Sequence, residues 1–340
     1  MKKTLVIIIL INLVYFSIFF ITKKPKVQIL EKNLESVILP FVTESNRRIV
    51  GIIGTDAYIT VSAKGDLYIN RFGKESKLHK VERYGRETTK FEIKRDYIIV
   101  YDTSYFEIYK FKNEILELLL SENFTDSIVE RIRFDSKIDS LNFAMLTYKE
   151  TSFFSIYQIS ETDKVSFKEK HEYKGGANLQ AYYGNYLLFE DELPFVETGT
   201  YLLELDSKKT ERIGCEFGNE LQSVSKDSII LKTVVACGGR EAGIYEYNLA
   251  TREYKQLLSE EKSNLKVIYY KESCYYAINE KYELVKFSHG NNYVDKIGDI
   301  STLNQNMPFS VVQIGKFEKY IYIDVKIEES NLSRVMLADI

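Results

Sequence analysis

From about residue 46 the chain alternates short apolar runs with clusters of turn residues, the pattern of half-buried and fully buried strands. Clear examples are residues 58–61 (YITV), 97–101 (YIIVY), 186–189 (YLLF), 229–231 (IIL) and 320–323 (YIYI). Beyond the apolar run at residues 4–22 no segment sustains a helical period over twelve positions. Residues 114–120 come nearest, yet they fall where the surrounding pattern needs a strand.

One unit keeps returning: an aromatic-rich strand, a polar turn, then a second strand. Its first strand reads LYINRF at 67–72, FEIYKF at 106–111, FSIYQI at 154–159 and YLLEL at 201–205. It continues as YEYNL at 245–249, YELVKF at 282–287 and RVML at 334–337. The units recur at a mean spacing of about 44 residues, the length of a four-stranded propeller blade. An upstream strand pair completes each unit, for example 90–93 with 97–101, and 221–224 with 228–234. The predicted fold is therefore all-β: a seven-bladed β-propeller over residues 46–340, with six or eight blades as neighbouring alternatives. A pair of β-sandwiches is the architectural rival.

The best-aligned units are 199–213 (GTYLLELDSKKTERI) and 243–257 (GIYEYNLATREYKQL). Both resemble the third and fourth strands of a TolB-like or YncE-like bacterial propeller blade, with the pattern I-Y-x-x-D-L-x-T-G-x-x-x-x-L. Glu204 and Asn248 stand at the Asp position, and Lys208 and Arg252 stand where Gly is usual. The resemblance is at the level of the fold and implies a propeller without implying one family's activity.

Seven units leave the last blade one strand short, because the chain stops just after 334–337. Residues 36–42 (SVILPFV) are the candidate for the missing outer strand, and Pro40 is tolerable there because an outer strand is an edge. This predicts that both ends of the chain close the ring.

The N-terminus follows another pattern. Residues 4–22 (TLVIIILINLVYFSIFFIT) carry no charge, and as a helix would span about 28 Å, near the thickness of a bilayer core. The run is longer than a usual signal-peptide core, and Lys23, Lys24, Pro25 and Lys26 follow it in place of a small-residue cleavage site. The expected organisation is a cytoplasmic tail at 1–3, a transmembrane signal anchor at 4–22, a stem at 23–45 and the propeller at 46–340. Lysines flank both ends of the run, so the positive-inside rule nearly cancels. The short N-terminal tail favours N-in, a single pass through the cell membrane and an extracytoplasmic propeller.

Composition narrows the function. The 340 residues are 45% hydrophobic, which excludes disorder, and a net charge of −3 gives no footprint for nucleic acid. There are 26 Tyr, 20 Phe and no Trp, which removes the Trp-bearing signatures of sialidase, quinoprotein and WD-type propellers. His79, His171 and His289 are scattered, and no G-x-S-x-G, Walker A, G-x-G-x-x-G or H-E-x-x-H motif occurs, so no cofactor and no metal are expected.

In a propeller the loops between blades share one face with the loops joining second and third strands. An aromatic recurs in the inter-blade segments: Tyr84 (followed by Arg86), Phe124, Tyr173 and Phe217. These residues are either wedges between blades or a ring of binding aromatics. On the same face, residues 190–199 (EDELPFVETG) form an acidic loop with Glu190, Asp191, Glu192, Glu197 and Phe195, and the matching loop of the next blade holds Arg240 and Glu241. The spacing fits no metal loop. Cys215 and Cys237 also fall on this face and either form a disulfide or remain two thiols, whereas Cys274 belongs to the opposite side.

These features point to a membrane-anchored binding, assembly or sensor scaffold for a protein, peptide or glycan. The alternative is a hydrolase or lyase acting on glycan or peptide at the channel mouth, with Glu190, Asp191 and Glu241 as carboxylates and Arg240 as anion clamp. The residues leave enzymatic activity open and favour the non-enzymatic reading.

Overall fold

The computed structural model of the chain describes residues 28–31, 38–42, 47–53, 57–71, 74–85, 87–137, 139–191, 199–214, 219–224, 227–233, 241–259, 265–271, 274–288, 293–299, 309–317, 320–327 and 332–339. The predicted anchor at 4–22 lies outside these residues. No helix among the described residues is long and apolar enough to cross a membrane.

The described residues form strands grouped into seven sheets. Sheet 1 contains Arg47–Ile53, Ala57–Ser62, Asp66–Arg71 and Lys74–Lys80, and sheet 2 contains Lys90–Lys94, Tyr97–Asp102, Tyr105–Lys112 and Ile115–Asn123. Sheet 3 follows with Ile128–Phe134, Asn142–Tyr148, Ser152–Ile159 and Val165–Tyr173, and sheet 4 with Ala177–Tyr183, Tyr186–Asp191, Thr200–Glu204 and Lys209–Arg212. Sheet 5 holds Asn219–Val224, Ser228–Thr233, Gly243–Asn248 and Tyr254–Ser259. Sheet 6 holds Leu265–Lys271, Cys274–Asn279, Glu283–Ser288 and Tyr293–Asp299, and sheet 7 holds Phe309–Phe317, Tyr320–Ile327 and Leu332–Asp339. Each sheet is a meander, and the recurring aromatic segments read from the sequence are its third strands. Residues 115–120 belong to the outer strand of sheet 2, as the repeat required, and Glu114 lies in the turn before it.

The first strands of consecutive sheets touch one another in series from sheet 1 to sheet 7, and Leu332–Asp339 of sheet 7 returns to touch the first strand of sheet 1. The first strands are therefore innermost. This is the β-propeller architecture.

The second strands show why these sequences choose it. Tyr97–Asp102 is buried along nearly its whole length, and its side chains alternate between neighbours. Ile98 and Val100 pack with sheet 1, while Tyr97, Ile99 and Tyr101 pack with sheet 3. In sheet 3, Phe143 and Met145 turn back to sheet 2, and Ala144 and Leu146 turn forward to sheet 4. A strand buried on both faces needs a continuous apolar run, which is what YIIVY and YLLF supply.

The stem is built into the last two sheets. Ile38–Val42 pairs antiparallel with Leu332–Asp339, from Ile38 opposite Ala338 to Val42 opposite Arg334, and so supplies the outer strand of sheet 7. Gln28–Glu31 adds a fifth strand to sheet 6 and pairs in parallel with Tyr293–Asp299. Ile38–Val42 lies within residues 36–42, the segment expected to supply this outer strand, whereas nothing in the sequence pattern points to the second strap on sheet 6.

Candidate functional site: the axial ladder of sheets 2 to 4

The first strands carry a recurring irregularity. In sheets 1, 3, 4, 5, 6 and 7 the register against the second strand slips by one residue near the middle of the first strand, whereas sheet 2 pairs without interruption. A bulge leaves one residue out of the ladder and re-aims its neighbours. In sheet 3 that residue is Glu130, and in sheet 4 it is Gln180.

Both freed carbonyls are taken up by a cation from the preceding sheet. Lys90 Nζ donates to the Glu130 carbonyl at 2.9 Å, and Arg133 Nε donates to the Gln180 carbonyl at 3.1 Å. These two bonds, the first exposed and the second half-buried, stitch sheet 2 to sheet 3 and sheet 3 to sheet 4 at the inner strands. The ladder continues along the same strands. Arg133 Nη1 donates to Glu92 Oε1, Gln180 Nε2 donates to Glu190 Oε2 at 2.9 Å, and Lys94 Nζ donates to the carbonyls of Asp135 and Lys137.

The alternation of the inner strand explains the ladder. In Lys90–Lys94 the apolar members Phe91 and Ile93 pack with sheet 1, and Lys90, Glu92 and Lys94 turn to sheet 3. Burial raises the Glu92 carboxyl above its ordinary value, against the pull of Arg133 and Arg131. Burial also lowers the Lys94 ammonium to about 8, opposed by Asp135. Tyr101, behind this pair, is pushed up to about 12, mainly by burial and then by Glu92. The Asp135 carboxylate is buried and accepts the backbone N–H groups of Lys137 at 3.0 Å and Gly184 at 2.8 Å, which ties sheet 3 to sheet 4.

One inner-strand cation stands apart. Arg131, half-buried beside the Glu130 bulge, makes no hydrogen bond or ion pair among the described residues. Its charge, second only to burial, lowers the Lys90 ammonium, which places the two cations near each other.

The residues singled out in the sequence fall in other places. Tyr84 is half-buried against the core between sheets 1 and 2. It lies over Gly65, whose φ is +84° and where an added Cβ would come within 2.5 Å of the Tyr84 side chain. Phe124 packs between sheets 2 and 3 and stacks on Phe106 at a 5.9 Å centroid distance. Tyr173 packs between sheets 3 and 4, edge-on to Phe189 at 4.7 Å. All three sit as wedges at the rim between sheets.

Tyr173 also joins the acidic segment, because its hydroxyl donates to Asp191 Oδ2 at 2.8 Å. Burial and this carboxylate push the phenol well above its ordinary value. Adjacent residues of a strand face opposite ways, so Glu190 turns to Gln180 and Asp191 to Tyr173. The two carboxylates therefore share no proton site. Glu241 is exposed, and its carbonyl accepts the Tyr245 hydroxyl at 2.7 Å. Arg86, Glu192, Phe195, Glu197, Cys215, Phe217, Cys237 and Arg240 lie outside the described residues, as does His289. Cys274 opens the second strand of sheet 6 and is a free thiol. Buried His171 pairs with Glu169 at 2.9 Å, and His79 leans on Tyr109 at 4.9 Å. Among the described residues no three His, Cys, Asp or Glu side chains gather as a metal site.

The sequence reading missed the axial ladder. Its signal is Lys90-x-Glu92-x-Lys94 interleaved with Phe91 and Ile93, facing Arg131-x-Arg133 in the next unit. Read alone, such a strand looks like one with a solvated face.

No protein-family model and no curated protein sequence matches the chain. Solved structures do. An oligogalacturonate lyase in complex with manganese is 9% identical with a TM-score of 0.59, covering 92% of this chain and 98% of its own. YCF48 bound to a D1 peptide is 10% identical with a TM-score of 0.58, covering 93% and 98%. The β-propeller domain of the Trilobed protease from Pyrococcus furiosus is 11% identical with a TM-score of 0.56, covering 87% and 95%. At these identities the likeness establishes the fold alone. The chain is a β-propeller, in keeping with its resemblance to TolB-like blades.

Proposed function

We propose that the chain is a membrane-anchored, extracytoplasmic seven-bladed β-propeller that binds a protein, peptide or glycan partner as an assembly or sensor scaffold. The observation that carries this reading is the stem. Gln28–Glu31 and Ile38–Val42 are strands of sheets 6 and 7, so only residues 23–27 separate the apolar segment 4–22 from the folded body. A propeller tethered so closely presents its loops and axis at the membrane surface, and tethering raises its effective concentration toward partners there. Seven sheets whose inner strands run in series support a seven-blade ring. Among the similar folds, YCF48 is bound to a peptide. The partners already held by Glu190 and Asp191 favour a binding role over catalytic carboxylates at this mouth.

The test is crosslinking and affinity capture of the full chain from its native membranes, alongside fractionation and protease treatment of intact cells. A membrane-retained, protease-accessible body that enriches a specific partner is the expected result. A chain that enriches no partner and turns over a glycan or peptide library overturns the scaffold reading.

A further inference from the structure

The inner strands of sheets 2 and 3 bring four cations together, Lys90, Lys94, Arg131 and Arg133, with two carboxylates on the same strands: Glu92, held by Arg133, and Glu130, near Lys90. Three of the four have structural work. Lys90 caps the Glu130 bulge, Arg133 caps the Gln180 bulge and holds Glu92, and Lys94 caps the carbonyls of Asp135 and Lys137. Arg131 makes no hydrogen bond or ion pair among the described residues, although it is half-buried on an innermost strand. The Arg131 guanidinium keeps contact with solvent and has its donors unused by the protein, so an incoming acceptor can take them without breaking a sheet contact. Its fork matches a carboxylate with two parallel N–H···O bonds.

We propose that Arg131, with Lys90 beside it, is the seat for a carboxylate of an acidic peptide segment entering the axial opening between sheets 2 and 3. This rests on the scaffold reading and gives the partner its chemistry: an extended segment bearing Asp or Glu. The strand order sets the position of the seat. Lys90 opens the first strand of sheet 2 and Ile128 that of sheet 3, so the seat lies toward the face that carries the inter-sheet segments with Tyr84 and Phe124. Lys94 is at the far end of the same strand. An incoming carboxylate therefore meets Lys90 and Arg131 before Arg133 and Lys94.

The experiment uses the full chain in nonionic detergent and a fluorescein-labelled octaglutamyl peptide, read by anisotropy at low and physiological salt. The glutamyl peptide should bind, and its glutaminyl counterpart should bind at least about tenfold more weakly. Arg131→Gln should weaken the glutamyl peptide by about fivefold or more, Arg131→Lys should fall between, and exposed Lys208→Gln on the turn of sheet 4 should leave binding unchanged. Melting curves of the variants separate lost binding from lost folding. Equal affinity of wild type and a folded Arg131→Gln overturns the proposal, as does binding of an acidic oligouronate of equal charge with no binding of the peptide. If a partner captured from membranes binds Arg131→Gln as tightly as wild type, this seat is wrong and the scaffold reading stands.

Discussion

The Asp163 carboxylate lies 2.7 Å from the Lys110 ammonium through both of its oxygens, and so joins the turn of sheet 3 to the third strand of sheet 2. The Tyr97 hydroxyl donates to the same carboxylate at 2.7 Å. Two sheets on, the contact recurs with its charges exchanged. Arg252, in the corresponding turn of sheet 5, reaches back to sheet 4, where it pairs with Glu204 at 3.6 Å and lies 5.3 Å over the ring of Tyr186. Tyr97 and Tyr186 each open a second strand, and Lys110 and Glu204 are their cross-strand partners. In these two places the turn residue latches its sheet to the one before, by either sign of charge.

Removing the latch has a pH signature. The hydrogen bond from Lys110, then that from Tyr97, holds the Asp163 carboxyl below its ordinary value. A depressed folded-state value contributes stability above the unfolded carboxyl's pKa, and that stability is lost as pH falls through the folded one. Asp163→Asn should therefore cost about 1 kcal/mol at pH 7, discounted for the partial exposure of both groups, and the cost should shrink as pH falls below the ordinary carboxyl range. Urea denaturation of both proteins across pH 2–7 measures it. The exchange Asp163→Lys with Lys110→Asp should recover most of the loss, as the Arg252 latch indicates.

The same turns contain a conformational test. Asp163, Lys208 and Arg252 hold φ of 64°, 55° and 61°, the left-handed region that favours glycine. Lys208 is exposed, so Lys208→Gly relieves strain while losing little contact, and should be neutral or stabilise by up to about 1 kcal/mol. Arg252→Gly gains the same relief and loses the pairs to Glu204 and Glu211, so it should destabilise the chain. Opposite shifts in urea midpoint are expected. Stabilisation by both would show that Arg252 latches nothing.

What the sequence reveals follows the range of the interaction. The third strands are legible because aromatic alternation is local, and the strained turn is legible because Lys208 and Arg252 fall where a blade pattern has glycine. The outer-strand role of Ile38–Val42 follows from counting strands. The latch is not legible, because Asp163 meets a partner in another sheet and the charges reverse between blades. The axial ladder is hidden for a related reason: Lys90, Glu92 and Lys94 look solvated until the Glu130 bulge supplies a carbonyl for Lys90. Tyr84, Phe124 and Tyr173 pack between sheets, but wedge and ligand-binding ring share one sequence pattern, and only contacts such as the stacking of Phe124 on Phe106 and of Tyr173 on Phe189 separate them.

The two straps of the stem should be separable. A chain starting at residue 35 loses Gln28–Glu31 but keeps Ile38–Val42, whereas one starting at residue 46 loses both. The first loses only a fifth strand at the edge of sheet 6 and should melt slightly below a chain starting at residue 27. The second leaves Leu332–Asp339 with an open edge in the sheet that meets sheet 1, and should melt far lower or aggregate. Equal melting temperatures for starts at 27 and 46 would sink closure by the stem.

Lys94 gives the ladder its own pH dependence. Burial lowers its ammonium to about 8 in the folded chain, while the unfolded residue titrates near the ordinary lysine value of about 10.4. Between those values the unfolded state binds the extra proton, so stability rises with pH across that window. Below pH 8 both states are protonated, and the desolvation of the charged group is a standing cost. Lys94→Met removes the titrating group, so wild type should gain about 1 kcal/mol over the variant between pH 7 and 9.5 after allowance for partial exposure. Stopping at pH 9.5 keeps the buried tyrosines, Tyr101 among them, protonated. Urea midpoints of both proteins at four pH values give the comparison. Parallel curves would mean that the ladder leaves the ammonium fully hydrated, and a falling wild-type curve would mean that a carboxylate holds it charged.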